Sequence, residues 1–413
     1  MSPVRRVAVV ARAVFPLHGL GGLERSVFDL VRYLARSHVE VTLITRPPSQ
    51  AGASLSEPGV TTRFVSYRTF PLAGRRGTTV LDRSTAYPLF GERAGRLAWS
   101  LVKDGHIDLV HGFGASVLGY ARRRSTSTAP LVLNPQGLEE FGATDPSKAR
   151  VKRAAYLPLR RAVVACARAA DRVIATDRSL EPAVLEHLKV DRSKVRTIPN
   201  ALDLSSIDGL ASVDDGLRIR RATGIAGTDM VLLSVGRLEH NKGFHVLADA
   251  LAALRAHGGG PVDGHWRWVV VGDGPYRRSL ESAVREAGVA GQTCFLGRLN
   301  EHDLHAWYEA ADLFVHPTLY EGSSLVTLEA MAHRRAVVAT RAGGLPDKVQ
   351  PGISGWLVPP GDASALAAAL SGALARPDRL AAMGQAGRTI VERDFSWEAT
   401  GAALLRLYDE LLQ

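Results

Sequence analysis

Short apolar runs rich in Val and Ile alternate with longer amphipathic stretches along the whole chain. Such runs suit strands buried on both faces, and the stretches between them suit helices that cover a parallel sheet. In the first half the pattern predicts strands at 6–13, 39–45, 61–66, 109–111, 131–134, 172–175 and 195–198, with a helix at 23–37. The second half starts the rhythm afresh, with strands at 230–235, 266–271, 293–296, 313–316 and 336–340 and helices at 243–257, 276–287, 301–310, 325–333 and 364–376. One core rarely organises 413 residues, so the expected fold class is α/β, as two doubly wound units facing each other across a cleft. The first unit is expected over 1–205 and the second over 206–394, with the polar stretch 201–216 as the connection. A last amphipathic helix, within 395–413, is expected to pack back on the first unit. Open α/β sheets bind ligands beyond the carboxyl ends of their strands, so the chemistry is expected on loops that follow strands.

Composition leaves this picture standing, and charge sharpens it. With 46% hydrophobic and 22% charged residues the chain is globular rather than disordered. No run approaches the roughly 18 apolar residues of a membrane helix, and the apolar run Val7–Val10 leads into a glycine-rich turn rather than a signal-cleavage site. Cys166 and Cys294 lie in apolar stretches and read as buried thiols of a reducing compartment, so a cytoplasmic location is expected. Residues 1–203 hold 31 Lys and Arg against 17 Asp and Glu, whereas the remainder holds 20 against 24. The first half should therefore attract an anionic partner such as nucleic acid, acidic phospholipid or a phosphorylated acceptor. Its densest tract runs from Lys148 to Arg153 and on to Arg160, Arg161 and Arg168, which suits attachment to an anionic membrane surface.

Three motifs carry candidate chemistry. The first is Glu321-Gly-Ser-Ser-Leu-Val-Thr-Leu-Glu329, which begins in a loop after a strand. Gly322, Ser323, Ser324 and Leu325 open a helix whose unpaired N–H groups and dipole favour an anion, while Glu321 and Glu329 can grip different parts of one elongated ligand. The second is Gly236-Arg237-Leu-Glu-His-Asn-Lys242-Gly243, after the strand at 230–235. Arg237 and Lys242 can neutralise a diphosphate and stabilise the charge that builds on it as a leaving group. The third is Gly19-Leu-Gly21-Gly22, where backbone N–H groups can approach a phosphate. A dinucleotide-binding loop looks much the same, and NAD would ask for an acidic residue closing the second strand where this chain has Thr45-Arg46. An NAD(P)-dependent oxidoreductase and a non-catalytic nucleotide-sugar binder therefore stay open as alternatives. The sequence shows no metal-binding Asp-x-Asp pair, no Cys/His cluster with zinc spacing and no phosphate loop ending in Gly-Lys-Ser/Thr, so neither metal nor cofactor is expected.

Taken together, these motifs resemble the retaining glycosyltransferases of the two-Rossmann (GT-B) architecture, in particular family 4, also known as glycosyl transferases group 1. The resemblance adds Ile198-Pro-Asn200-Ala-Leu-Asp203, Gly272-Asp-Gly-Pro275, Gly343-Gly344-Leu-Pro346 and Gly352-Ile-Ser-Gly355-Trp-Leu-Val358. It implies metal-independent hexosyl transfer, with retained configuration, from a UDP- or GDP-sugar to a saccharide or lipid-linked glycan in bacterial envelope synthesis. In similar enzymes the residues matching Arg237 and Lys242 hold the diphosphate and the one matching Glu321 touches the donor sugar. The amides of Gly322 to Leu325 bind sugar or phosphate, Glu329 matches a ribose contact, Leu299 lies against the base, and the Gly21-Gly22 loop closes over the phosphates. The donor is then a substrate rather than a cofactor, no nucleic-acid partner is expected, and the basic first half implies peripheral attachment to the inner face of the membrane. The chain departs from the family at His111-Gly-Phe113, where a second histidine is common near the reacting sugar, and at Gln136-Gly137, where His-Gly is frequent. These changes leave the acceptor and the role of histidine open.

Overall fold

The computed structural model describes residues 5–19, 21–48, 52–68, 79–135, 138, 140–141, 154–256 and 265–413, with backbone only at 79–82. The chain divides into two compact units, one formed by residues up to Ala201 together with Trp397–Gln413, the other by Leu202–Ser396.

The first unit is built on seven parallel strands: β1 Arg6–Val10, β2 Glu40–Thr45, β3 Val60–Phe64, β4 Leu109–Phe113, β5 Leu131–Asn134, β6 Arg172–Ala175 and β7 Val195–Thr197. Their order is β3-β2-β1-β4-β5-β6-β7. β4 and β5 are buried at every position whereas β3 is largely exposed, which is the contrast expected between central and edge strands. The helix Gly22–Arg36 buries Val27, Leu30, Val31 and Leu34 against the sheet, a spacing of three and four that turns its basic residues outward. The last helix, Trp397–Leu412, lies on the same face. Trp397 stacks on Tyr33 at 5.2 Å, and Leu404, Leu407 and Tyr408 enter the apolar cluster of Val7, Val9 and Leu109.

The second unit has six parallel strands: β8 Met230–Val235, β9 Trp266–Val271, β10 Thr293–Gly297, β11 Leu313–His316, β12 Ala336–Thr340 and β13 Gly355–Val358. They run β10-β9-β8-β11-β12-β13, so the chain first builds outward through β9 and β10 and then crosses to the other side of β8. The reversal between β8 and β11 is the switch point at which an open sheet leaves room for a ligand. Apolar clusters cover both faces, one around Leu328, Met331 and Phe314 and one around Leu247, Trp268 and Leu370.

Three expectations are corrected. The stretch 201–216 is not a bare connection. Leu204–Asp208 and Val213–Ala222 are helices of the second unit, closed by side-chain caps from Asp203 and Ser212, which the polar composition of the segment concealed. Asp208 takes both terminal nitrogens of the buried Arg388 at 2.6 and 2.8 Å. Gly355–Val358, read only as part of a motif, is the edge strand β13. Cys294 is exposed because β10 is also an edge strand, whereas Cys166 is buried. Among the described residues no helix is long and apolar enough to cross a membrane.

Candidate functional site

At the carboxyl edge of the second sheet, three loops are laced into one layer. The loop after β8 ends at Gly243, whose φ of 68° lies in the left-handed region and whose Cβ, if present, would overlap the Pro317 carbonyl oxygen. The loop after β11 answers with Leu319 N donating to Asn241 O at 2.7 Å and Thr318 Oγ1 donating to the same oxygen at 3.0 Å. The loop after β12 joins through Thr340 Oγ1 donating to Thr318 O at 2.6 Å and Gly344 N donating to Gly322 O at 2.8 Å.

This layer brings Lys242 and Glu321 together. Lys242 Nζ donates to Glu321 Oε2 at 2.8 Å, and the two side chains are only 19% and 12% exposed. The same carboxylate oxygen lies 2.8 Å from Nε2 of the fully buried His316, and the other oxygen accepts from the Gly322 amide at 3.2 Å. Burial by itself would push the Glu321 pKa up. The Lys242 charge and the His316 hydrogen bond outweigh it and hold the carboxyl far below its ordinary range. Burial pushes the His316 pKa down, against the pull of Glu321, so the ring serves as a neutral Nε2–H donor. The result is a charged pair in a dry setting, with a carboxylate that stays ionised.

Immediately after Glu321, Gly322–Ser324 lead into the helix Leu325–Ala332, where Ser324 is the N-cap and accepts from Thr327 N at 3.4 Å. The first-turn N–H groups give this end its partial positive charge. Lys348, fully buried, donates to Ser323 Oγ at 3.2 Å and to Gly344 O at 3.3 Å from behind the turn. A second ammonium therefore strengthens the positive potential of the helix start. Sequence reasoning missed both His316 and Lys348. For His316 the signal was a titratable residue closing the otherwise apolar run Leu313–His316, whereas Lys348 stands beside Asp347 and had no such signal.

The other candidates lie apart from this pair. Arg237 is 63% exposed and pairs with Glu239 at 3.1 Å on its own loop. Glu329 lies farther along the helix and accepts from Tyr308 Oη at 2.9 Å. Leu299 follows β10 and rests half-buried on the apolar cluster of Leu328. In the first unit Gly21 is the N-cap and Gly22 the first residue of the helix Gly22–Arg36, with no side-chain cap, so first-turn N–H groups are left for a ligand or water. The Glu24 carboxylate folds over Gly21, where a Cβ would meet it. Gln136, Gly137 and the tract Lys148–Arg153 lie outside the described residues. Among the described residues no group of three or more His, Cys, Asp or Glu side chains is arranged to hold a metal ion.

His111 is buried within the first unit. It is 1% exposed, its ring lies 5.1 Å from that of Phe113 and parallel to it, and its Nδ1 sits 2.6 Å from the Tyr408 hydroxyl on the returning helix. With Ser26, Asn134, Asn200 and Thr400 it lines a cavity of about 30 Å³ within the first unit. Burial pushes its pKa from 6.5 down to about 3. Between those values the unfolded chain takes up a proton that the folded chain refuses, so the contribution of His111 is fully present above pH 6.5 and is lost as pH falls through the window. The expected loss at pH 5 is about 2 kcal/mol. Urea unfolding at pH 7.5 and 5.0 checks it: His111→Phe should show a shallower pH dependence than the wild type, and equal slopes would refute the assignment.

Two family models match the chain, "Glycosyl transferases group 1" over residues 216–390 and "Glycosyltransferase Family 4" over residues 20–206. A D-inositol 3-phosphate glycosyltransferase of Geodermatophilus obscurus is 30% identical over 428 aligned positions, covering 98% of this chain and 89% of the relative. The enzyme of the same description from Streptomyces scabiei is 28% identical, covering 98% of this chain and 91% of the relative. Among solved structures, a sucrose-phosphate synthase of Thermosynechococcus elongatus matches with a TM-score of 0.78 at 26% identity, covering 98% of this chain and 99% of that one.

Proposed function

Because the chain belongs to the family 4 glycosyltransferases of GT-B fold, we propose that it transfers a hexosyl group from a UDP- or GDP-sugar to a saccharide or lipid-linked glycan, with retention of configuration and without a metal ion. The observation that carries the reading is the buried Lys242–Glu321 pair at 2.8 Å beside the start of the helix Leu325–Ala332. A diphosphate arriving there would draw the Lys242 ammonium to itself, while His316 and the Gly322 amide keep hold of the Glu321 carboxylate. Glu321 would then face the donor sugar as an acceptor for its hydroxyl groups. As the bond to the anomeric carbon breaks, charge builds on the departing diphosphate. Lys242, Arg237 and the amides of Gly322 to Leu325 would stabilise that charge more than they stabilise the ground state. In this account Glu329 binds the ribose, Leu299 borders the base, and the Gly21-Gly22 loop is a phosphate-binding loop of the first unit.

The acceptor is assigned to the first unit, whose positive charge suits a lipid-linked or phosphorylated acceptor and a peripheral place on the inner membrane face in envelope synthesis. The names of the two inositol 3-phosphate relatives make a phosphorylated polyol the natural first acceptor to assay. The oxidoreductase alternative falls with family membership.

A thermal-shift screen of UDP-, GDP- and ADP-sugars tests the donor. The matching donor, at about a hundred times its dissociation constant, should add roughly 2.7 kcal/mol of stability and raise the melting temperature by a few degrees, with EDTA leaving the shift unchanged. A screen in which only NAD(P) stabilises the protein, or in which the shift needs a divalent ion, would reject the corresponding part of the proposal.

A further inference from the structure

We propose that Tyr308 is a positioning residue of the ribose subsite, its buried hydroxyl holding the Glu329 carboxylate in the orientation that reads the ribose diol. The proposal rests on the nucleotide-sugar reading above. Tyr308 lies on the helix Glu301–Ala310, is fully buried, and donates to Glu329 Oε2 at 2.9 Å, with Val326 O at 3.3 Å as a weaker alternative. Burial, together with the neighbouring Glu329 charge, drives the phenol pKa well above 10, so the hydroxyl keeps its proton and stays a donor. A hydrogen bond from a neutral hydroxyl to a carboxylate is charge-assisted, and it removes the rotamer freedom of a Glu on a half-exposed helix face. The carboxylate oxygen it occupies has a second lone pair with which to accept from a ligand.

Tyr308 is itself immobilised by a buried chain of side chains. Its ring stacks on His333 at 5.5 Å with an interplanar angle of 8° and leans on Phe314 at 5.9 Å. Both nitrogens of His333 are engaged, Nε2 with His305 Nδ1 at 2.7 Å and Nδ1 with Glu309 Oε1 at 2.6 Å. Arg335 closes the chain by donating to Glu309 Oε2 at 3.0 Å. Such a connected polar network gives the hydroxyl one position, and through it gives Glu329 one orientation. A carboxylate fixed in this way favours a ligand that carries the diol, because a ligand without it offers no hydroxyl for the fixed oxygens to accept from.

The test is calorimetric titration with UDP, GDP and ADP and with the 2′,3′-dideoxy counterpart of each one that binds. Wild type should prefer the ribonucleotide roughly 10- to 100-fold. Tyr308→Phe keeps the ring and its stacking, so its melting temperature should change little. It should weaken the ribonucleotide roughly tenfold while leaving the dideoxy ligand within about twofold, collapsing the preference. Glu329→Gln should abolish the preference by itself, and adding Tyr308→Phe to it should change nothing further. Equal weakening of both ligands in Tyr308→Phe, or of neither, overturns the positioning role. A preference that survives in Glu329→Gln overturns the ribose role of Glu329 and the proposal with it. Failure of wild type to bind any of the three nucleotides instead overturns the donor reading itself.

Discussion

Replacing Lys242 by alanine is expected to slow sugar transfer by roughly 10²- to 10³-fold, the usual consequence of deleting one preorganised cation that faces developing negative charge. Arg237→Ala should lose activity to a similar degree without the second effect that distinguishes Lys242, a loss of stability. Lys242 neutralises the nearly buried Glu321 at 2.8 Å, and removing it leaves that carboxylate with His316 and one amide. Breaking a pair of this kind costs about 3 kcal/mol. Arg237 is 63% exposed, and its pair with Glu239 contributes little. Denaturant titrations beside activity assays separate the two roles. The double variant Lys242→Met, Glu321→Gln removes both charges and should recover most of the lost stability while staying inactive. If Lys242→Ala retained wild-type turnover, the assignment of this ammonium to the diphosphate would be wrong.

Gly343→Ala should be nearly as damaging, for a reason of geometry alone. Gly343 has a φ of 52°, and a Cβ there would overlap the Glu321 carbonyl oxygen. The left-handed backbone costs about 1 kcal/mol for alanine and the overlap about 2 more. The overlap also pushes on the turn that carries Glu321 and Gly322, and a displacement of about 1 Å at such a turn can cost about 100-fold in rate. Gly352→Ala is the internal control. Its φ is 77°, but nothing lies within 4 Å of where its Cβ would be, so it should lose only about 1 kcal/mol and keep its activity. Equal losses in the two variants would show that backbone strain alone matters at Gly343, and that the loops after β11 and β12 are not held together there.

Much of this protein was legible in its residues because parallel sheets leave a strong trace. Buried strands such as Leu131–Asn134 and Ala336–Thr340 are short apolar runs, and the helix Gly22–Arg36 declares itself by the three-and-four spacing of Val27, Leu30, Val31 and Leu34. The two helices within 201–222 did not show in this way. Their stability comes from caps by Asp203 and Ser212 and from docking, including Arg388 on Asp208 and Arg220 on Asp312, rather than from an apolar stripe. The exposure of Cys294 was hidden for a related reason, since an edge strand has the composition of a central one until its neighbours are known.

The two α/β units, the family, and the loops that carry the cations and carboxylates were all legible in the residues, because they follow from periodicity and from motifs local in the chain. Which of these groups meet became visible only in the folded chain. Lys242 and Glu321 are 79 positions apart, and His111 and Tyr408 are 297 apart. Burial then set the surroundings of each: the imidazole of His111 lies against Phe113 and Tyr408, His316 holds Glu321, and Tyr308 is the partner of Glu329. Solvent exclusion and proximity are properties of the folded chain, and they set charge, orientation and reactivity where residue identity supplies only the functional group.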